Sequence, residues 1–185
     1  TLGRIVSWIA QSAMPLGRPG ARIAHWMFSY AIRLAPKLPE PRGLRYLLEA
    51  TFARRDGHDA RALELLRKAQ KTMPEDNIIA VNLGIQLAMS EHYRQAISTL
   101  QRAMKGKQDV EAEPQAWMAL AWSYLRSDKA AQAIKTCNDA SETGINTPEL
   151  RIIHLFAQGR QGGAIDSEKL GQLVRKRGRM VPMLL

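Results

Sequence analysis

The side chains with most chemistry to offer are four histidines, His25, His58, His92 and His154, and one cysteine, Cys137. Histidine can ligate a metal or move a proton near neutral pH, and a cysteine thiolate can act as nucleophile or zinc ligand. Each use demands partners at set spacings. The histidines are scattered, none pairs with a glutamate or a second histidine at metal-binding spacing, and no nucleophile motif or phosphate-cradling glycine loop accompanies them. The densest polar cluster, Asp56-Gly57-His58-Asp59, is built from turn-forming residues and reads as a connection between helices. A single cysteine forbids an internal disulfide and cannot make a metal site alone, which suits a reducing compartment. No catalytic residue, metal site or cofactor is therefore expected, and no enzyme.

The elements that carry these residues repeat. A shift of 34 residues places Ala62 on Ala96, Leu66 on Leu100 and Ala69 on Ala103; a shift of 37 from the second set reaches Ala133, Cys137 and Ala140. The surplus falls in the polar stretch GKQDVEAE, as an insertion in a loop would. Cys137 thus stands where the other copies carry leucine, and buried filler is the expected role. Each segment follows another amphipathic stretch, GLRYLLEATFARR, NIIAVNLGIQLAM or QAWMALAWSYLRS, with apolar residues at i, i+3, i+4 and i+7. DGHD, SEHY and SDKA separate the paired stretches, so the unit is helix, turn, helix. Ala50, Gly84 and Ala121 on the first helices, with Ala62, Ala96 and Ala133 on the second, allow approach to the short end of the usual ~8 to 10 Å separation. One such hairpin cannot bury its own apolar face, so neighbours must stack.

These residues resemble the tetratricopeptide repeat, whose pattern runs Trp, Leu-Gly, Tyr, Ala, Phe and Pro. Trp117, Leu120, Ala121, Tyr124, Ala133 and Cys137 carry it best, followed by Leu83, Gly84, Leu87, Ala96 and Leu100, then by Tyr46, Ala50, Ala62, Leu66, Ala69 and Pro74. Gln108 replaces a closing proline, and Glu49 stands where leucine is usual. A degenerate unit lies upstream: Ala24, Phe28, Ala31 and Pro36 match a second helix, and Trp8 with Ser12 a first, with Pro15, Gly17, Pro19 and Gly20 as the turn between them. Pro36, Pro39 and Pro41 then make a kinked connection able to act as a hinge. Thr147 and Pro148 open a helix to about residue 159, and Asp166 or Ser167 caps a last one to about Lys176.

The resemblance implies an all-α fold, a right-handed superhelical stack of antiparallel helix pairs (a TPR-like α-solenoid) with a C-terminal capping pair. The expected divisions are a degenerate pair at 5–38, repeats at 43–76, 77–110 and 114–147, and cap helices with a basic and hydrophobic tail at 148–185. In this family the first helix of each pair lines the concave face. Carried over, that register makes Leu44, Leu47, Thr51, Arg54, Arg55, Ile78, Val81, Asn82, Ile85, Met89, Met118, Trp122, Leu125 and Arg126 the candidate groove, and Ala88 and Gln115 fall in the same register. The family's carboxylate clamp would need lysine, asparagine or arginine side chains where Leu47, Thr51, Gln115 and Ala119 stand, and only Asn82 fits it. The expected role is a non-catalytic adaptor or assembly scaffold, whose partner is an amphipathic helix or hydrophobic segment with acidic flanks.

Charge supplies the alternative. Of the formal +10, most sits at the ends: residues 1–50 hold seven Lys/Arg against two acids, and residues 148–185 seven against three. Ile5, Val6, Trp8 and Ile9, then Arg18, Arg22, Trp26, Met27 and Phe28, either pack the first repeat or face anionic lipid. With Arg175, Lys176, Arg177 and Arg179, such residues suit a peripheral subunit of a membrane-associated complex, docked on lipid or an acidic protein surface. The tail Met180–Leu185 either covers the groove or projects to a partner. Aromatic residues are 6% and none interleaves with a basic run, so nucleic acid is not the expected partner. No stretch reaches the roughly 18 apolar residues a span needs; a cytoplasmic location is expected, with membrane association as the alternative.

Overall fold

The computed structural model describes residues 17–34, 36–105, 113–162 and 171. Every regular element among them is a helix: α1 (Gly17–Leu34), α2 (Glu40–Arg55), α3 (Asp59–Thr72), α4 (Asn77–Met89), α5 (Tyr93–Met104), α6 (Pro114–Arg126), α7 (Ala130–Glu142) and α8 (Pro148–Arg160). The chain divides into two compact units, Thr1–Gln86 and Leu87–Leu185. In the first, α2 packs on α3 and α1 on α2; in the second, α6 packs on α5, α7 and α8, and α7 on α8.

The expected helix around Trp8 and Ser12, the loop at 106–112, the last helix near Lys176, the tail Met180–Leu185 and the basic group Arg175, Lys176, Arg177 and Arg179 lie outside the described residues. At the other end the Pro/Gly-rich stretch differs from expectation. Gly17 to Gly20 form the first turn of α1 rather than a break before it. Proline is tolerated there because the first turn's N–H groups have no intrahelical acceptor.

Helix starts follow sequence chemistry. Proline stands in the first turn of α2, α6 and α8, where its fixed φ suits the helix and its missing N–H costs nothing. Thr147 caps α8, its hydroxyl accepting the Leu150 N–H at 3.3 Å.

Four helix ends share one backbone solution. After α2, α4, α6 and α7 a residue with positive φ turns the chain: Gly57 (79°), Glu91 (62°), Asp128 (57°) and Gly144 (86°). The next residue's N–H then reaches back five positions, His58 to Ala53 at 2.8 Å, His92 to Leu87 at 2.8 Å, Lys129 to Tyr124 at 3.0 Å and Ile145 to Ala140 at 2.9 Å. This Schellman arrangement satisfies carbonyls that helix ends leave open. The polar turns DGHD, SEHY and SDKA all use it.

The small residues face inward, as nesting requires. Ala24, Ala62, Ala96 and Ala133 are fully buried; so, nearly or completely, are Ala31, Ala69, Ala103 and Ala140 two turns on, and Ala50 and Ala121 on the opposing helices. Between the alanines of each second helix sits one larger side chain, Phe28, Leu66, Leu100 or Cys137, also buried. An alanine at the crossing point lets backbones close, and the larger residue fills the space beside it. In the first unit Phe28 meets Leu48, with Met27, Leu44 and Phe52 packed around them.

Candidate functional site

The candidate groove residues stand on α2, α4 and α6. In the second unit Trp122 and Arg126 lie one turn apart near the end of α6, and Tyr93 opens α5. The Arg126 guanidinium sits over both rings, 5.5 Å from the Trp122 centroid and 5.4 Å from that of Tyr93. Both distances lie within cation–π range, and stacking fixes the guanidinium plane while its N–H edge retains the capacity to take a carboxylate. Met118 is half-buried one turn earlier, and Met89, at the end of α4, is exposed. An open depression of about 480 Å³ adjoins Arg126, where Glu91, His92 and Arg94 meet Ser127 and Asp128 from the turn after α6.

In the first unit Ile78 is 63% exposed. Asn82 and Ile85 are half-buried, and the Asn82 amide donates to the Ile78 carbonyl at 2.9 Å within α4. On α2, Leu47 is half-buried, Thr51 and Arg55 are exposed, and Leu44 leans on the Phe28 cluster. Arg54 is partly sunk: burial lowers its pKa, and nearby Asp59 opposes that shift by favouring the charge. The Thr51 hydroxyl turns back onto the Leu47 carbonyl at 2.9 Å.

Two candidates are core residues. Val81 is 5% and Leu125 is 3% exposed, so neither presents a side chain to a ligand. The causes differ. α4 is apolar around its whole circumference, so a register that reserves one face for packing is too generous to it. α6 is flanked by three helices, and the Leu125 carbonyl is itself covered by Arg160, which donates to it at 2.9 Å and to the Asp128 carboxylate at 2.8 Å. Arg18 and Arg22 stand in the first turns of α1, their side chains outside the described residues.

The apolar run Trp26, Met27 and Phe28 is split by the fold. Phe28 is core and Met27 half-buried, but Trp26 is 67% exposed and stacked on exposed Tyr30, with centroids 5.9 Å apart. Tyr93 and Tyr30 had no repeat position to mark them. Tyr93 could have been found as the only aromatic in the polar turns, and Tyr30 from its place one turn after Trp26.

Cys137 and His154 line a second depression of about 400 Å³ between α7 and α8. They do not make a nucleophile: burial pushes the Cys137 thiol up to about 12, and its Sγ donates to the Leu150 carbonyl at 3.5 Å. An active cysteine needs the opposite shift. Among the described residues no group of three or more His, Cys, Asp or Glu could hold a metal ion, and no helix is long and apolar enough to cross a membrane.

No protein-family model and no curated protein matches the chain. Solved structures do. MamA from Desulfovibrio magneticus RS-1 superposes with a TM-score of 0.65 at 17% identity, covering 94% of this chain and 92% of that one. Pseudomonas aeruginosa PilF gives 0.66 at 15% identity over 94% of this chain and 73% of its own. PilW, described as a widely conserved type IV pilus biogenesis factor, gives 0.52 at 15% identity over 95% and 92%. All three are tetratricopeptide-repeat proteins. Together with the buried alanine register and the recurring hairpin turns, this establishes that the chain has the tetratricopeptide-type fold.

Proposed function

We propose that the protein is a non-catalytic interaction module, an adaptor or assembly scaffold that holds a partner helix or hydrophobic segment against its first helices. The observation that carries this reading is the Arg126 guanidinium held over Trp122 and Tyr93, beside half-buried Met118. An oriented arginine on an aromatic floor gives an acidic group a fixed anchor while the rings and methionine accept apolar side chains. Leu47, Ile78 and Ile85, with Arg54 and Arg55 nearby on α2, offer the same mixture in the first unit. Acidic flanks on the partner follow from the arginines. One of the similar structures adds support: PilW is described as a type IV pilus biogenesis factor.

Immobilised wild-type protein and the Trp122→Glu and Ile85→Glu variants, exposed to one native extract, test this. Proteins retained by the wild type should be lost from both variants while far-UV circular dichroism stays unchanged. Retention of the same proteins by folded variants would refute the assignment of these helices as the binding face.

A further inference from the structure

The outer face of α1 breaks a rule that the other second helices keep. Aligned on the buried alanines Ala24, Ala62, Ala96 and Ala133, the α1 positions Ile23, Trp26, Tyr30 and Leu34 fall on Arg61, Glu64, Lys68 and Thr72 of α3, and on Gln132, Lys135, Asp139 and Thr143 at α7. On α5 the first three fall on Gln95, Ser98 and Arg102. On α3, α5 and α7 this is a polar face, mostly exposed. On α1 the same face is apolar and equally open: Ile23, Trp26, Tyr30 and Leu34 are all exposed, at i, i+3, i+7 and i+11 along one side of the helix. Helix packing does not call for this stripe, because the packing side chains of α1 are Ala24, Phe28 and Ala31 on its other side.

We infer that this stripe is a contact face for an anionic lipid surface. Tryptophan and tyrosine combine an apolar body with a polar tip, which suits the boundary between headgroups and acyl chains. Charge selects the same occupant. α1 contains Arg18, Arg22 and Arg33 and no acid, and Lys37 follows it, with Arg33 and Lys37 exposed. A second copy of a chain with net charge +10 would bring like charge against this face, whereas an anionic bilayer brings the opposite sign. The helix would lie along the surface, its four apolar side chains spanning about 16 Å at 1.5 Å per residue. The protein-binding reading does not enter this inference, since none of the groove residues lies on α1.

Flotation of the full chain with vesicles of phosphatidylcholine, with and without about a third of phosphatidylglycerol, reads the contact directly. The wild type should float with the anionic vesicles and remain below with the neutral ones, and about 0.5 M salt should cut the floated fraction several-fold. Trp26→Ser with Tyr30→Ser should lower it about tenfold. Arg33→Gln with Lys37→Gln, a pair that leaves every apolar side chain in place, should lower it several-fold. Equal flotation with neutral vesicles, or undiminished flotation of the folded aromatic double variant, would overturn the inference. So would a wild type that fails to float but sediments as a dimer while the aromatic variant sediments as a monomer, because the stripe would then be a self-contact.

Discussion

The α2–α3 and α6–α7 hairpins share a register and a turn, yet one position in them does opposite work. Glu49 and Leu120 each immediately precede a buried alanine, Ala50 or Ala121, on the first helix. Leu120 is buried. Glu49 is half-buried and bridges outward: the His25 ring donates to its carboxylate at 3.1 Å, and the Arg45 guanidinium lies 3.4 Å away. The difference teaches that the small residue fixes how two helices meet, while the residue beside it takes whatever chemistry its neighbour supplies. Against α6 the neighbours are apolar; against α2, helix α1 offers a histidine.

The largest effect should come from testing that pair. Leu120→Ala should cost about 3 kcal/mol in urea unfolding, the usual loss for a buried leucine, and Glu49→Ala below about 1 kcal/mol, because the bridge is partly exposed. Similar losses would erase the distinction.

Cys137, filling the place held by Leu66 and Leu100, should make the second unit sensitive to alkali. Its folded pKa is raised, so its contribution is complete below the ordinary thiol value of 9.0 and is lost as pH rises toward about 12. The advantage of the wild type over Cys137→Ala in unfolding free energy, from urea titrations, should shrink by an amount on the order of 1 to 2 kcal/mol between pH 8 and pH 10.5. A constant difference would mean that the thiol titrates normally.

The turns allow a finer comparison. Gly57→Ala should destabilise by about 1 kcal/mol, since its φ of 79° suits only glycine well, and Glu91→Gly should stabilise by up to a similar amount. Asp128→Gly should change stability by less than about 0.5 kcal/mol, because relief of its backbone is offset by losing the 2.8 Å contact to Arg160. Thermal unfolding of the three variants would separate these outcomes, and equal shifts at Glu91 and Asp128 would mean that the Asp128–Arg160 pair contributes nothing to that turn.

Much of the fold is legible in the sequence because it rests on alanines at fixed spacing, whose smallness is their function. The hairpin turns, the proline-led helix starts and the Thr147 cap follow from local chemistry in the same way. The candidate site is less legible. Val81 and Leu125 have the composition and register of groove residues, but their burial depends on how many neighbours surround α4 and α6, which one helix's periodicity does not encode. Tyr93 meets Arg126 only because α5 lies against α6. The stripe on α1 was hidden because Trp26, Met27 and Phe28 are adjacent in sequence, and only the buried alanine register separates their faces.

The account depends above all on alanine being required at one register position and free to vary beside it. Equilibrium urea unfolding of Ala133→Leu and Gln132→Leu compares a fully buried site with its exposed neighbour on the same helix. Overpacking should cost Ala133→Leu about 2 to 3 kcal/mol or more, and Gln132→Leu should stay within about 0.5 kcal/mol of the wild type. Equal stability of the two variants would contradict the nesting of these helices through small side chains.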